Sequence, residues 1–286
     1  PMQQERTKTQ LVVHGNIPSD LSGVYLRTGP NPKSGTGEHW FLGDGMVHGI
    51  RLSGGKAEWY RNRYIKAGTL QRNGGPPSVG GPRRGARDTV NTNVLKLAGK
   101  TLALVESEAF PFELDYNLDT KASTNLQGTL SVPFSAHPHE DPQTGEWHAI
   151  TYESETQDTV WHVAINCFGE VVSERPIPVK DGPSIHECSI TDDYVIVFDL
   201  LVTISLPTLA QGYNFPYRWN KAHLARVGLL PRHGDVGEII WCEVEPCYVF
   251  HVANSFQNDD DSVTIDCCAY ESMFAHGPDG PNGVPC

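Results

Sequence analysis

Three histidines in separate short phrases are the residues of this chain best suited to metal chemistry. The phrases are Ser135-Ala136-His137-Pro138-His139, Ser184-Ile185-His186-Glu187 and Phe250-His251-Val252-Ala253-Asn254. Neutral imidazole is the commonest protein ligand for divalent metals of the first transition row. A set made only of histidines, without a thiolate, suits Fe(II) as well as Zn(II).

The three histidines are far apart in sequence, so only a fold that brings distant strands to a common axis makes them neighbours. Each lies at or beside the end of a run with the pattern of a β-strand. His139 follows His137 by two residues and would share its face on an extended strand, but we interpret it as a surface or turn residue. His148 and His162 alternate with apolar residues and are expected on the solvent face of their strands.

Charge and composition exclude some classes of protein. The 286-residue chain has a formal net charge of −12 and no basic cluster beyond Arg83-Arg84, which argues against a nucleic-acid partner. The seven cysteines are odd in number and irregularly spaced, so free thiols in a reducing compartment are expected. No apolar run approaches membrane-spanning length. The expected location is therefore the cytoplasm, for a soluble protein that either stays free or associates with a membrane.

Alternating apolar and polar residues predict a chain built almost entirely of β-strands. A hairpin is predicted over residues 89–106 with its turn at Gly99, followed by strands at 147–152, 160–166, 170–174, 194–202, 238–245, 247–252 and 262–270. The run at 194–202 is rich in Val and Ile, as in a strand buried on both faces. Helical spacing is poor throughout, and residues 221–230 are its best short candidate. Short strands with turns about every 8–12 residues indicate a sandwich, a barrel or a propeller.

Taken in order along the chain, the motifs resemble those of the carotenoid oxygenases. That family includes carotenoid and apocarotenoid cleavage enzymes, lignostilbene dioxygenases and a retinoid isomerase. The matching segments are Gly23-Val24-Tyr25-Leu26-Arg27-Thr28-Gly29-Pro30-Asn31-Pro32, Trp40-Phe41-Leu42-Gly43-Asp44-Gly45-Met46, Asn91-Thr92-Asn93, Leu102-Ala103-Leu104-Val105-Glu106, Ala136-His137-Pro138, His186 ahead of Thr191-Asp192-Asp193-Tyr194, and Phe250-His251-Val252-Ala253-Asn254. The resemblance covers nearly the whole chain.

The resemblance implies an all-β fold, a β-propeller that has seven blades in the family. It implies one Fe(II) held on the propeller axis by four histidines, of which His137, His186 and His251 would be three. Glu106 would be a carboxylate that orients one of these ligands, His186. No catalytic residue outside the metal site is implied. We expect a single propeller domain over residues 1–286, incomplete because the C-terminal blades and the fourth histidine are missing.

The implied activity is that of a non-haem Fe(II) dioxygenase, which cleaves a conjugated C=C bond to two carbonyl products. Its partners would be O2 and an apolar small molecule, taken up through peripheral contact with a membrane. Phenolic-stilbene cleavers tend to carry Lys where this chain has Val105, which favours an apocarotenoid or carotenoid-like substrate. The alternatives are a lignostilbene-type dioxygenase, a catalytically incomplete propeller fragment, and a zinc hydrolase on the same ligands.

Overall fold

A computed structural model describes residue 2 and residues 4–35, 39–85, 87–233 and 238–275. The chain divides into two compact units. The first comprises residues 1–105 and 109–125, and the second comprises residues 106–108 and 126–286. Within the described residues, no helix is long and apolar enough to cross a membrane.

The first sheet of the first unit has four antiparallel strands in the order β1-β4-β3-β2. The strands are β1 (Arg6–Lys8), β2 (Gly23–Pro30), β3 (Gly45–Ser53) and β4 (Lys56–Tyr64). Gly54 and Gly55 join β3 to β4 with φ angles of 54° and 75°. Two consecutive positive φ angles are the geometry of a tight hairpin turn that matches the twist of the strands.

The second sheet of the first unit also has four antiparallel strands, in the order β5-β6-β7-β8. They are β5 (Asn93–Leu97), β6 (Lys100–Leu104), β7 (Phe112–Leu114) and β8 (Thr120–Ser123). The turn between β5 and β6 contains Ala98 and Gly99, so the predicted hairpin is confirmed. A 3-10 helix (Trp40–Leu42) and the short helix α1 (Gly68–Arg72) complete this unit.

The second unit opens with a four-stranded antiparallel sheet in the order β12-β11-β10-β9. Its strands are β9 (His139–Glu140), β10 (Trp147–Glu153), β11 (Thr156–Ile165) and β12 (Val171–Pro178). The sequence analysis predicted a strand at each of the three longer ones, β10, β11 and β12. The prediction that His148 and His162 face solvent is wrong, since they are only 4% and 6% exposed. Their rings stack 5.3 Å apart, and Nδ1 of His148 lies 3.1 Å from Nε2 of His162, so one hydrogen bond links the two buried rings.

The rest of the second unit contains eight strands and a helix between β15 and β16. They are β13 (Ser189–Ile190), β14 (Tyr194–Asp199), β15 (Val202–Ile204), α2 (Leu206–Ala210), β16 (Tyr217–Trp219), β17 (Arg226–Pro231), β18 (Ile240–Glu243), β19 (Tyr248–Gln257) and β20 (Val263–Tyr270), of which only α2 is helical. They form a four-stranded sheet in the order β13-β14-β17-β18 and the pairs β15-β16 and β19-β20, all antiparallel.

Strand β14 confirms the prediction of a strand buried on both faces, because Val195, Ile196 and Val197 are fully inaccessible. The helix suggested for residues 221–230 is wrong. Strand β17 begins at Arg226 and lies between β14 and β18, bonded to both. Tertiary pairing on two sides therefore overrides a weak local preference for helix.

The all-β expectation is confirmed. Among the described residues, four sheets have four antiparallel strands each, which is the composition of a propeller blade. The structure thus has the repeating unit of a propeller, although the sequence contains no repeated motif that would predict it.

Candidate metal centre

The structure brings His137, His186 and His251 together within the second unit. One ring nitrogen from each lies within 4.8 Å of the others. Nε2 of His186 is 3.3 Å from Nε2 of His251, and the ring centre of His137 lies 4.4 Å from that of His186. With metal–nitrogen bonds of about 2.1 Å, neighbouring nitrogens on one ion lie roughly 3.0–3.4 Å apart. The nitrogens of His186 and His251 therefore have the spacing of two ligands on one mid-row divalent ion, and a ring nitrogen of His137 lies within 4.8 Å of both.

Irregular backbone positions these rings. His137 precedes β9, and its backbone N–H donates to Oγ of Ser135 at 3.2 Å. His186 precedes β13, in a segment fixed to β15 by the bond from the Ser184 N–H to the Val202 carbonyl at 2.9 Å. His251 lies within β19, between two residues where the register with β20 shifts. Such bulges re-aim side chains beside active sites.

His137 supplies a direct test of whether a cation fits. Its Nε2 atom is buried, and no described residue bonds to it. A buried polar atom without a partner costs about 1–3 kcal/mol, which a metal–nitrogen bond would offset. Burial, and then the positive charge of His186, lower the pKa of His137 to about 4. At neutral pH the ring is therefore in the neutral form that binds metals.

His251 also has a lowered pKa, but it is more exposed to solvent than His137. Burial, followed by the charge of His186, lowers its pKa below 6.5. The three rings differ in access to solvent: His186 is buried, His137 is half-buried and His251 is exposed. The donor set, the proximity of the three rings and the buried nitrogen of His137 that lacks a hydrogen-bond partner together suit a divalent metal ion.

Glu106 lies against His186, where the sequence resemblance places it. Its Oε2 accepts a hydrogen bond from Nδ1 of His186 at 2.5 Å. This bond leaves Nε2 of His186 facing the other two rings. Burial raises the pKa of Glu106, but the charge of His186 and hydrogen bonds from His186 and Tyr152 outweigh it and hold that pKa at about 2. Burial lowers the pKa of His186, and Glu106 outweighs it, so the net pKa of His186 is raised.

Three buried hydroxyl groups support Glu106, and sequence reasoning missed all of them. Oε1 of Glu106 accepts hydrogen bonds from the phenol of Tyr152 and, at 3.3 Å, from Oγ of Ser184. The Ser184 hydroxyl also lies 3.2 Å from the phenol oxygen of Tyr248. Burial raises the pKa of both phenols, so both stay protonated. A buried tyrosine in a strand is indistinguishable from core packing in sequence, and Ser184 offers no signal beyond its place beside His186.

Glu187 is a further residue that sequence reasoning missed. Its Oε1 lies 3.0 Å from Nε2 of His139, and its Oε2 accepts a hydrogen bond from the Val252 N–H at 2.8 Å. Burial raises the pKa of Glu187, while the bonds from His139 and Val252 outweigh it and lower that pKa. His139, in β9, is therefore bonded to the carboxylate of Glu187 and lies outside the three-histidine cluster.

The structure thus combines four-stranded antiparallel sheets with a three-histidine cluster and a carboxylate behind one of the three rings. Residues 1–283 match the family described as Retinal pigment epithelial membrane protein, and the chain belongs to that family. The solved structures that align with it are seven-bladed β-propeller carotenoid oxygenases, which confirms the predicted fold class.

Individual relatives show how much of a longer protein the chain resembles. It is 36% identical to a carotenoid cleavage oxygenase of Mycobacterium tuberculosis, over 99% of this chain and 66% of that protein. It is 28% identical to resveratrol cleavage oxygenase 1 of Aspergillus fumigatus, over 100% of this chain and 60% of that protein. A crystal structure of cobalt-substituted Synechocystis apocarotenoid oxygenase aligns with a TM-score of 0.83 at 25% identity, over 99% of this chain and 64% of that one. The chain thus spans less than two thirds of the length of these proteins.

Proposed function

We propose that the protein is a non-haem Fe(II) dioxygenase that cleaves a conjugated C=C bond of an apocarotenoid or carotenoid-like substrate to two carbonyl products. The observation that carries this proposal is the convergence of three imidazole nitrogens within 4.8 Å of one another. The relatives named as carotenoid cleavage oxygenases support it. We also propose that residues 1–286 belong to one propeller domain.

His137, His186 and His251 would hold the iron. Fe(II) held by these residues would supply the activation of O2 for addition to the double bond. Because the three protein ligands are neutral, they leave the ion its full charge of +2. The anionic carboxylate of Glu106 lies behind the ring of His186, and that of Glu187 bonds to His139 and to the Val252 N–H, so both would balance that charge at a distance.

The surrounding residues keep the ligands in their working form. Glu106 holds the proton on Nδ1 of His186, so that Nε2 presents its lone pair. Tyr152 and Ser184 donate to the other oxygen of Glu106 and so keep the carboxylate ionised and fixed. Burial keeps His137 neutral. No side chain has to transfer a proton in the minimal scheme.

The residue that precedes Glu106 favours one of two substrate classes. Val105, immediately before Glu106, offers no charge to a phenolic hydroxyl, which favours a polyene. The second candidate is a stilbene-type substrate, which the likeness to a resveratrol cleavage oxygenase over the whole chain supports. Both candidates use the same three histidines, so only the substrate distinguishes them.

Uptake of an apolar substrate requires access to the phase in which it dissolves. We include peripheral contact with a membrane in the proposal, because α2 exposes two leucines, Leu206 at 55% and Leu209 at 41%. Flotation with phospholipid vesicles measures this contact. The variant Leu206→Ser/Leu209→Ser should remain with the unbound fraction, and equal flotation of both proteins would contradict it.

Cleavage under ¹⁸O2 tests the proposed reaction. The complete natural protein, loaded with Fe(II), is incubated with a panel of apocarotenoids and stilbenes. Each of the two carbonyl products should carry one oxygen atom from O2, and omission of iron should abolish cleavage. Ester hydrolysis with zinc in the site, or no iron-dependent cleavage of any member of the panel, would overturn the proposal.

A further inference from the structure

The carboxylate of Glu187 contacts more than one of the segments that carry the clustered histidines. Glu187 directly follows His186, so it belongs to the same segment as that ring. Its Oε1 lies 3.0 Å from Nε2 of His139, and its Oε2 accepts from the Val252 N–H at 2.8 Å. One side chain therefore joins three stretches of chain.

Each contact of Glu187 falls beside a different histidine of the cluster. His139 lies two residues after His137, and Val252 lies one residue after His251. The two bonds span 48 and 65 positions of sequence. Loop closure over such distances costs conformational entropy that a charged, partly buried hydrogen-bond acceptor can offset.

We propose that Glu187 is a positioning residue that braces the segments of His137, His186 and His251 at the spacing a divalent ion needs. This inference rests on the proposed metal site and assigns the residue that prepares it. Without the brace, three separate segments would have to be ordered when the ion binds, and the ordering would weaken metal affinity.

The placement of Glu187 explains why this task falls to a carboxylate. The side chain is 10% exposed, so its two oxygens are largely shielded from water and each needs a donor. His139 supplies one donor and the backbone of β19 supplies the other. A carboxylate can accept on both oxygens at once, whereas an amide offers only one acceptor oxygen.

The charge of Glu187 acts in the same direction as its geometry. An anion close to the cluster attracts the positive ion that the three rings would bind. Glu106 hydrogen-bonds to one ring of the three, whereas Glu187 hydrogen-bonds to the segments that follow the other two.

Cobalt titration of the metal-free full chain tests the brace, with the visible absorption of Co(II) as the signal. The variants are Glu187→Ala, Glu187→Gln and His139→Gln, and the control is Glu140→Gln, which removes an exposed carboxylate from the same short strand. Glu187→Ala should weaken Co(II) binding about 10–100-fold and change the absorption bands, as loss of a residue behind the ligands commonly does. Glu187→Gln and His139→Gln should give smaller losses, and Glu140→Gln should bind like the parent.

Co(II) affinity and absorption bands that are unchanged in a folded Glu187→Ala chain would overturn the proposal. If Glu187→Ala does not fold, parental affinity and bands in both Glu187→Gln and His139→Gln would overturn it instead. A folded parent that does not bind Co(II) would contradict the metal site itself, and with it this inference. That result differs from the first, because there the parent binds the ion and only the effect of the variant is missing.

Discussion

Oε2 of Glu106 lies 2.5 Å from Nδ1 of His186, although 80 positions separate the two residues in sequence. The bond fixes which nitrogen of His186 faces His137 and His251. Oε1 of the same carboxylate is held by Tyr152 and Ser184. The orientation of one metal-binding ring therefore depends on a chain of buried hydrogen bonds, and each link can be tested separately.

Replacing Glu106 by Gln should weaken metal binding. The amide removes the negative charge behind His186 and no longer fixes the proton on Nδ1. We expect Fe(II) affinity to fall about 10–100-fold, measured by competition with a chelator. Glu108→Gln is the matched control, since Glu108 bonds to Ser154 instead of to a clustered histidine. Equal losses in the two variants would show that Glu106 has no special role.

Replacing Tyr152 by Phe should destabilise the fold. The change leaves the buried carboxylate of Glu106 without its phenol donor, and a hydrogen bond to a charged group is worth about 1.5–3 kcal/mol. The free energy of unfolding in urea should fall by that amount. Tyr248→Phe is the comparison, because its phenol bonds to Ser184 and not to Glu106. Its effect should be smaller, about 0.5–1.5 kcal/mol, and a larger loss in Tyr248→Phe would contradict the order of the links.

Stability should fall in mild acid because of His148 and His162. Burial, followed by the charge of Arg232 for His148 and of His148 for His162, lowers their pKa values from 6.5 to about 4 and about 3. Between pH 6.5 and about 4 the unfolded chain therefore binds more protons than the folded one. Stability is complete above pH 6.5 and is lost as the pH falls through this window.

Urea unfolding at a series of pH values measures this loss. At about 1.4 kcal/mol for each pH unit between the two pKa values, it is on the order of 3 kcal/mol for one such histidine. In His162→Gln the dependence between pH 6.5 and 4 should be shallower than in the parent. A parent whose unfolding midpoint is constant over this range would show that the pair is not held neutral.

His223 should contribute stability with the opposite dependence on pH. Its Nδ1 lies 3.0 Å from Asp181 and its Nε2 lies 2.8 Å from Asp199. Burial lowers its pKa, but the two carboxylates outweigh burial and raise it above 6.5. The stabilisation is therefore full below pH 6.5 and is lost as the pH rises through the raised pKa.

The variant His223→Gln isolates that contribution. It should cost more free energy of unfolding at pH 6 than at pH 9, measured in urea. His233→Gln is the control, because His233 is exposed and its ring contacts a backbone carbonyl. A cost for His223→Gln that is the same at both pH values would mean that His223 is neutral between its two carboxylates.

The strands were largely predictable because their residues alternate and their turns carry glycine. The hairpin of β5 and β6 follows from the turn at Gly99. Strand β17 was not predictable, since Gly228 weakens its strand pattern and the pairing partners β14 and β18 lie elsewhere in the chain. The burial of His148 depends on the same kind of distant pairing, with β11.

The candidate site was predictable only in part. His137, His186, His251 and Glu106 were found through a resemblance to known motifs, and their local patterns alone would not have joined them. Glu187 and Tyr152 give no such signal. A glutamate beside a histidine is usually solvated, and Tyr152 follows the ordinary pattern of a buried strand. Their partners become visible only when distant segments meet.

The metal content of the protein and of its histidine variants tests the central claim most directly. The parent, loaded with Fe(II) without oxygen and desalted, should retain about one iron per chain. His137→Ala, His186→Ala and His251→Ala should each lose most of that iron, while the exposed His14→Ala should keep it. Iron retained at the parental level in all three variants would contradict the account, because the three rings would then not share one ion.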